Sequence, residues 1–138
     1  MRVGDVYYAH CSLLNGRPKK KYLVLICSDE PLRIALINTV NAVLEFNNPA
    51  LGKTQVFVEQ SEHEFLAYDS WLDCSRLLSG DTLKLEDLAP VGRLVDAALH
   101  KAIAAIDFSP TIAPRQKKRC VESIQAELSP PEPPEISN

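Results

Sequence analysis

The apolar positions change their spacing along the chain, and the spacing divides it into strands and then helices. Val6-Tyr7-Tyr8-Ala9-His10-Cys11 follows the pair Gly4-Asp5 and is dominated by aromatic and β-branched residues, which predicts a strand. Asn15-Gly16 and Pro18 mark a turn or loop. Tyr22-Leu23-Val24-Leu25-Ile26-Cys27 is an unbroken apolar run, short for a helix, and predicts a strand buried on both faces. Asp29, Glu30 and Pro31 break it. Ile34-Ala35-Leu36-Ile37 repeats the pattern as a third strand ending at Asn38-Thr39. Residues 41–53 hold Asn47-Asn48-Pro49 and Gly52 and predict a loop or short excursion. Gln55 to Glu59 alternates polar and apolar, the period of a half-exposed strand. Trp71 to Leu77 predicts a fifth strand, ended by Ser79-Gly80-Asp81, and Pro90 to Leu94 a short sixth.

The period then lengthens. Val95, Leu99, Ile103 and Ile106 fall on one face of an amphipathic helix whose other positions are rich in alanine. Ser109-Pro110 and Pro114 punctuate a linker. Arg115 to Leu128 forms a second helix, with Cys120, Val121, Ile124 and Leu128 on one face and Pro114 suited to its first turn. Ser129 to Asn138 contains four prolines and two glutamates and predicts a polyproline-leaning, disordered tail. The expected fold is mainly β with C-terminal helices: a small, strongly bent sheet of five to six short strands with the helices at its end.

Composition adds limits. A chain of 138 residues, 46% apolar and 24% charged, fits one globular domain. The formal net charge of -3 means that any nucleic-acid site must be a local patch. Cys11, Cys27, Cys74 and Cys120 are far apart and form no C-x-x-C pair, which argues against a zinc knuckle and for free, mostly buried thiols in a reducing cytoplasm. No long apolar run follows Met1, and no stretch approaches the roughly 18–20 residues of a membrane span, so a cytoplasmic protein without membrane attachment is expected. Glu62-His63-Glu64 has no second ligand cluster at a recognisable spacing, so neither metal nor other cofactor is expected. His10 and Cys11 are adjacent on a strand and point to opposite faces, and Cys74 has no identifiable histidine partner. Thiol catalysis is not expected.

The order of these features resembles the MazF/PemK toxin family. Gly4-Asp5-Val6-Tyr7-Tyr8 matches the family's opening strand. Lys21-Tyr22-Leu23-Val24-Leu25-Ile26 resembles its second strand and Ile34-Ala35-Leu36-Ile37-Asn38-Thr39 its third. Asp69-Ser70-Trp71-Leu72-Asp73-Cys74-Ser75-Arg76 resembles a later strand, and Leu94 to Ile106 the closing helix. The resemblance spans residues 2–108. It divides the chain into a barrel domain with closing helix over 1–108, a linker and added helix over 109–128, and the tail over 129–138. It implies an SH3-like barrel, a homodimer, metal-independent cleavage of single-stranded RNA, and a cognate antitoxin that covers the RNA groove. Lys21 stands where the family carries its catalytic arginine, with Tyr22 in place of the following proline. Asn38, with Thr39 next to it, falls on the family's serine or threonine. Ser75 and Arg76 fall on its acidic residue and glutamine. These replacements motivate an alternative: a catalytically inactive barrel that binds RNA or protein.

Cleavage without metal needs a base for the 2′-hydroxyl, an acid for the leaving oxygen, and cations for the developing charge. Lys21 and Arg76 are the candidate cations, Thr39 and Ser75 the phosphate-positioning hydroxyls, and His10 the candidate base, with Asp73 as the acidic alternative. Arg17, Lys19, Lys20, Asn38 and Asp73 complete the expected RNA contacts. Each has a plainer reading: His10 as an ordinary strand histidine, the Arg17–Lys21 cluster and Arg115-Gln116-Lys117-Lys118-Arg119 as solvated charge, and Asp69-Ser70 as a turn cap. Asp73, Ser75 and Trp71 share a face of a regular strand, with Arg76 opposite Asp73. Trp71 is read as core, with a base-stacking platform as its alternative. The added helix and tail motivate a further reading, a protein-interaction subunit.

Overall fold

The computed structural model describes residues 1–11, 19–80 and 84–128, with the side chain of Cys11 excepted. The expected turn around Asn15-Gly16, Arg17, Asp81 and the tail lie outside the described residues. Strands β1 (Asp5–Cys11), β2 (Lys19–Cys27), β3 (Arg33–Asn38), β4 (Gln55–Val58), β5 (Ser70–Ser79) and β6 (Gly92–Arg93) form one antiparallel sheet, ordered β4-β5-β3-β2-β1-β6, that curls into a half-barrel. Every predicted strand is present. The expected excursion between β3 and β4 is itself structured, as a short helix α1 (Ala42–Glu45) and a 3-10 turn over Pro49–Thr54. Asn41 and Asn48 cap these turns by accepting from the amides of Val43 and Ala50. Helices α2 (Asp96–Phe108) and α3 (Pro114–Leu128) follow the sheet.

Period-two alternation sends the side chains of each strand to two faces, and the two faces meet different neighbours. On one face Val6, Val24, Ile26, Ile37, Val56 and Leu72 pack against Leu99 and Ile106 of α2 and Cys120 and Ile124 of α3. Each fully buried aliphatic side chain there contributes about 1.5–3 kcal/mol. On the other face Tyr7, Leu23, Leu25, Ile34 and Leu36 form a smaller cluster covered by Leu32 and Leu85. The unbroken apolar run of β2 is thus buried on both sides, as its composition predicts.

The opening Gly4-Asp5 has a structural cause. Gly4 adopts φ +95, and a Cβ there would lie 3.0 Å from both Arg93 Nη1 and Leu99 Cδ1. Only glycine meets both demands without strain. Asp5 accepts from the Arg2 amide and lies 3.7 Å from Arg93, which donates to the Val3 carbonyl and to Glu127 of α3 at 3.0 Å. Arg2 also binds Glu127. This cluster ties the end of α3 to the start of β1.

Two cysteine-bearing elements meet where α3 crosses β2. Cys27 and Cys120 are free and buried, and Arg119 reaches the Cys27 sulfur at 3.6 Å and the Asp29 and Glu30 carbonyls at 3.2 Å. Burial, followed by the neighbouring Cys27, pushes the Cys120 thiol up to about 12. Burial, followed by the Asp73 charge, also raises the Cys74 thiol. Both thiols therefore stay protonated and poor as nucleophiles. His63 is buried as well. Its Nε2 accepts from the Val95 amide at 3.2 Å, so its Nδ1 carries the proton and donates to the Glu59 carbonyl at 2.8 Å. It joins the β4–β5 connection to the start of α2. Among the described residues no group of His, Cys, Asp and Glu is arranged to hold a metal, and no helix is long and apolar enough to cross a membrane.

Candidate functional site

Strand register assembles a row of chemically distinctive side chains on the face away from α2 and α3. Ala9 pairs with Lys21, Asn38 with Trp71, and Trp71 with Phe57, while the Tyr22–Ile37 pair sets Lys21 beside Asn38. The row Ala9–Lys21–Asn38–Trp71–Phe57 therefore crosses the sheet from β1 to β4. Lys21 Nζ donates to Asn38 Oδ1 at 3.1 Å. The Trp71 and Phe57 rings meet at 4.9 Å and 52°. Phe57 is 38% exposed, and Lys21, Asn38 and Trp71 are half-buried. Lys19, exposed and two residues before Lys21, lies on the same face. Trp71 belongs to neither apolar cluster, which corrects its expected place in the core.

One row below, toward the small apolar cluster, Asp73 pairs with Leu36 on one side and Gln55 on the other. Asp73 is only 4% exposed. Its Oδ1 accepts from Gln55 Nε2 at 2.8 Å, from the Ser75 amide at 2.9 Å and from Ser75 Oγ at 2.5 Å. Gln55 donates further to Thr54 Oγ1 and accepts from the Ala42 amide through Oε1, both at 3.2 Å. Such a satisfied polar network fixes its members in one arrangement. It makes Asp73 and Ser75 a brace beneath the row.

The brace accompanies a break in β5. Ile34 pairs with Leu78 and Leu36 with Asp73, so Cys74 to Leu77 lie opposite Ala35 alone. This large bulge ends the simple alternation that predicts Arg76 on the face opposite to that of Asp73. Cys74 and Leu77 turn into the helix-side core, while Arg76 is exposed. The Ser75 carbonyl accepts from Ser109 Oγ at 3.2 Å and from the Thr111 hydroxyl, which anchors the bulge to the corner between α2 and α3.

The remaining candidates divide between the faces. His10 pairs with Lys20, one step out of phase with Lys21, and both lie on the helix side. Lys20 Nζ stands 5.6 Å from the Tyr8 ring, Tyr8 stacks on Tyr22 at 4.6 Å, and the Tyr22 hydroxyl donates to the Phe65 carbonyl. The expected basic cluster is thus split: Lys19 and Lys21 face one way, Lys20 and His10 the other. Thr39 is exposed in the bend after β3. Asp69 and Ser70 do close a turn, through the Gln60 amide and the Tyr68 carbonyl at 2.9 Å.

Gln55 and Phe57 belong to the site and drew no chemical assignment from sequence. Their signal was the alternation of β4, which already placed them together on the face opposite Val56 and Val58. No protein-family model matches the chain, and no curated protein is significantly similar to it.

Proposed function

We propose that this chain is a divergent MazF/PemK-like, SH3-type barrel that engages single-stranded RNA on the face away from its helices. The observation that carries the reading is the cross-sheet row. A hydrogen-bonded Lys21–Asn38 pair sits beside a solvent-reaching Trp71–Phe57 pair, on a rigid antiparallel platform. A cation for a phosphate next to aromatic rings for bases is the chemistry of single-strand binding. The exposed Lys19, on the same face of β2, extends the positive character. A double-stranded ligand fits less well, because its bases are already stacked and shield their faces from Trp71 and Phe57.

Metal-independent cleavage is the second reading, favoured by where Lys21 is held. Its ammonium group is fixed by Asn38 beside the Thr39 bend, positioned to offset charge on a phosphate. In cleavage the 2′-oxygen bonds to phosphorus as the bond to the 5′-oxygen breaks. The 2′-proton passes to a base, and the leaving oxygen takes up a proton. Lys21 supplies charge stabilisation in that step, while Asp73 serves the scaffold and His10 faces the helix side. A cytoplasmic toxin of this kind would act as a homodimer and be neutralised by a cognate antitoxin covering the same row.

Anisotropy with a labelled single-stranded RNA in chelator, followed by a gel of the same sample, tests both readings. Binding that Lys21→Ala weakens, with intact RNA, supports recognition alone. Chelator-resistant cleavage that Lys21→Ala abolishes supports the nuclease. Absence of association at low salt, where electrostatic binding is strongest, would reject RNA altogether.

A further inference from the structure

The row ends at Phe57 on the edge strand β4, and the surface beyond that edge is not featureless. A groove of about 370 Å³ runs between β4 and α2. Its walls include Phe57, which it shares with the row, and Lys101, Ala104 and Phe108 from one face of α2. Lys53, from the turn before β4, closes the other side with its Nζ 5.0 Å from the Phe108 ring. Phe108 is 46% exposed, and both lysines are exposed. No carboxylate lines this groove among the described residues. It therefore repeats the composition of the row, with aromatic rings and cations but no opposing charge, in a chain whose net charge is -3.

We propose that single-stranded RNA bound on the row continues over the β4 edge into this groove, with Phe108 as a further stacking platform and Lys53 and Lys101 as phosphate contacts. The proposal rests on the RNA reading given above and assigns it a direction and a length. Charge complementarity favours a polyanion here. The continuity through Phe57 favours the same polyanion that lies on Trp71. A short oligonucleotide occupies the row alone, whereas a longer one reaches both surfaces and gains affinity from the second.

Binding of 2′-O-methyl oligouridylates of about 4 and about 12 nucleotides, which cannot be cleaved through the 2′-oxygen, separates the two surfaces. The expected result is tighter binding of the longer oligomer by the unaltered protein. The pair Lys53→Ala with Lys101→Ala should remove that advantage and leave the short oligomer unchanged. The slope of log affinity against log salt for the long oligomer should fall by about 0.7 for each lysine. Lys21→Ala should weaken both oligomers. Equal response of long and short oligomers to the lysine pair, or none, overturns the extension while leaving the row intact as an RNA site. Failure of both oligomers to bind rejects the RNA reading with it. Competition by an acidic peptide that only the unaltered lysines permit, without any oligomer-length effect, would make the groove a protein-docking surface and also overturn the path.

Discussion

The two faces of the sheet come from the same strands yet are finished differently. On the helix-side face the aliphatic side chains are buried beneath α2 and α3, while Tyr8, His10 and Lys20 stay exposed toward one end of β1 and β2. The far face is covered only in part among the described residues, by Leu32 and Leu85 over the small cluster around Leu23 and Leu36. Beyond that cluster the strands carry Lys21, Asn38, Trp71 and Phe57 instead of aliphatic residues. The helix side holds the fold together, while the uncovered half of the other side leaves polar and aromatic groups available to a ligand. A shared scaffold can serve both purposes because alternation makes the faces nearly independent.

That contrast predicts different responses to substitution. Leu99→Ala, on the helix side, should lower stability by about 2–5 kcal/mol in urea titration, since Leu99 is fully buried between α2 and the sheet. A loss below about 1 kcal/mol would mean that α2 is not a structural cover. Alkaline pH should loosen the same side. A thiol kept neutral by the fold ionises near its ordinary 9.0 once unfolded, so the unfolded chain binds fewer protons and stability falls as pH rises from 9.0 toward about 12. Each raised thiol adds up to about 1.4 kcal/mol per pH unit to that fall. Cys120→Ala should make the decline of the urea midpoint between pH 9 and 11 shallower. An unchanged slope would show that Cys120 does not titrate on unfolding.

On the open half the expected change is in binding. Trp71→Ala should cost about 1–3 kcal/mol of RNA affinity, the worth of one stacked base. Its effect on the melting temperature should be smaller than that of Leu99→Ala. Equal RNA affinity with a large drop in melting temperature would instead make Trp71 a core residue. The smallest effect belongs to the partly exposed clamp at the end of α3. Glu127→Gln removes the shared partner of Arg2 and Arg93 and should lower stability by about 1 kcal/mol or less, an effect that shrinks in high salt. Salt-independent loss would assign the clamp a packing role.

Much of this organisation is legible in the linear pattern. The aromatic and β-branched start of β1, the apolar runs of β2 and β3 and the alternation of β4 locate strands that form as read, because side-chain period and backbone period coincide within each segment. The spacing of Leu99, Ile103 and Ile106 likewise identifies the buried face of α2. The split of the Lys19-Lys20-Lys21 cluster follows from the same alternation once β2 begins at Lys19. The bulge in β5 was not legible. Four residues opposite one break the period-two alternation between Cys74 and Leu77, and the bulge is held by Ser109 and Thr111, far along the chain.

A predominantly β domain followed by two helices is written in the linear order of residues, because propensity and periodicity act over near neighbours. What those elements bring together depends on how they pack. Lys21, Asn38, Phe57 and Trp71 become one row only through the registers of β2 with β3, β3 with β5 and β5 with β4. Asp73 becomes a buried brace rather than a surface acid because Gln55, from a different strand, donates to it. Register between distant strands is selected by how whole faces pack, a quantity that no local window of the chain contains.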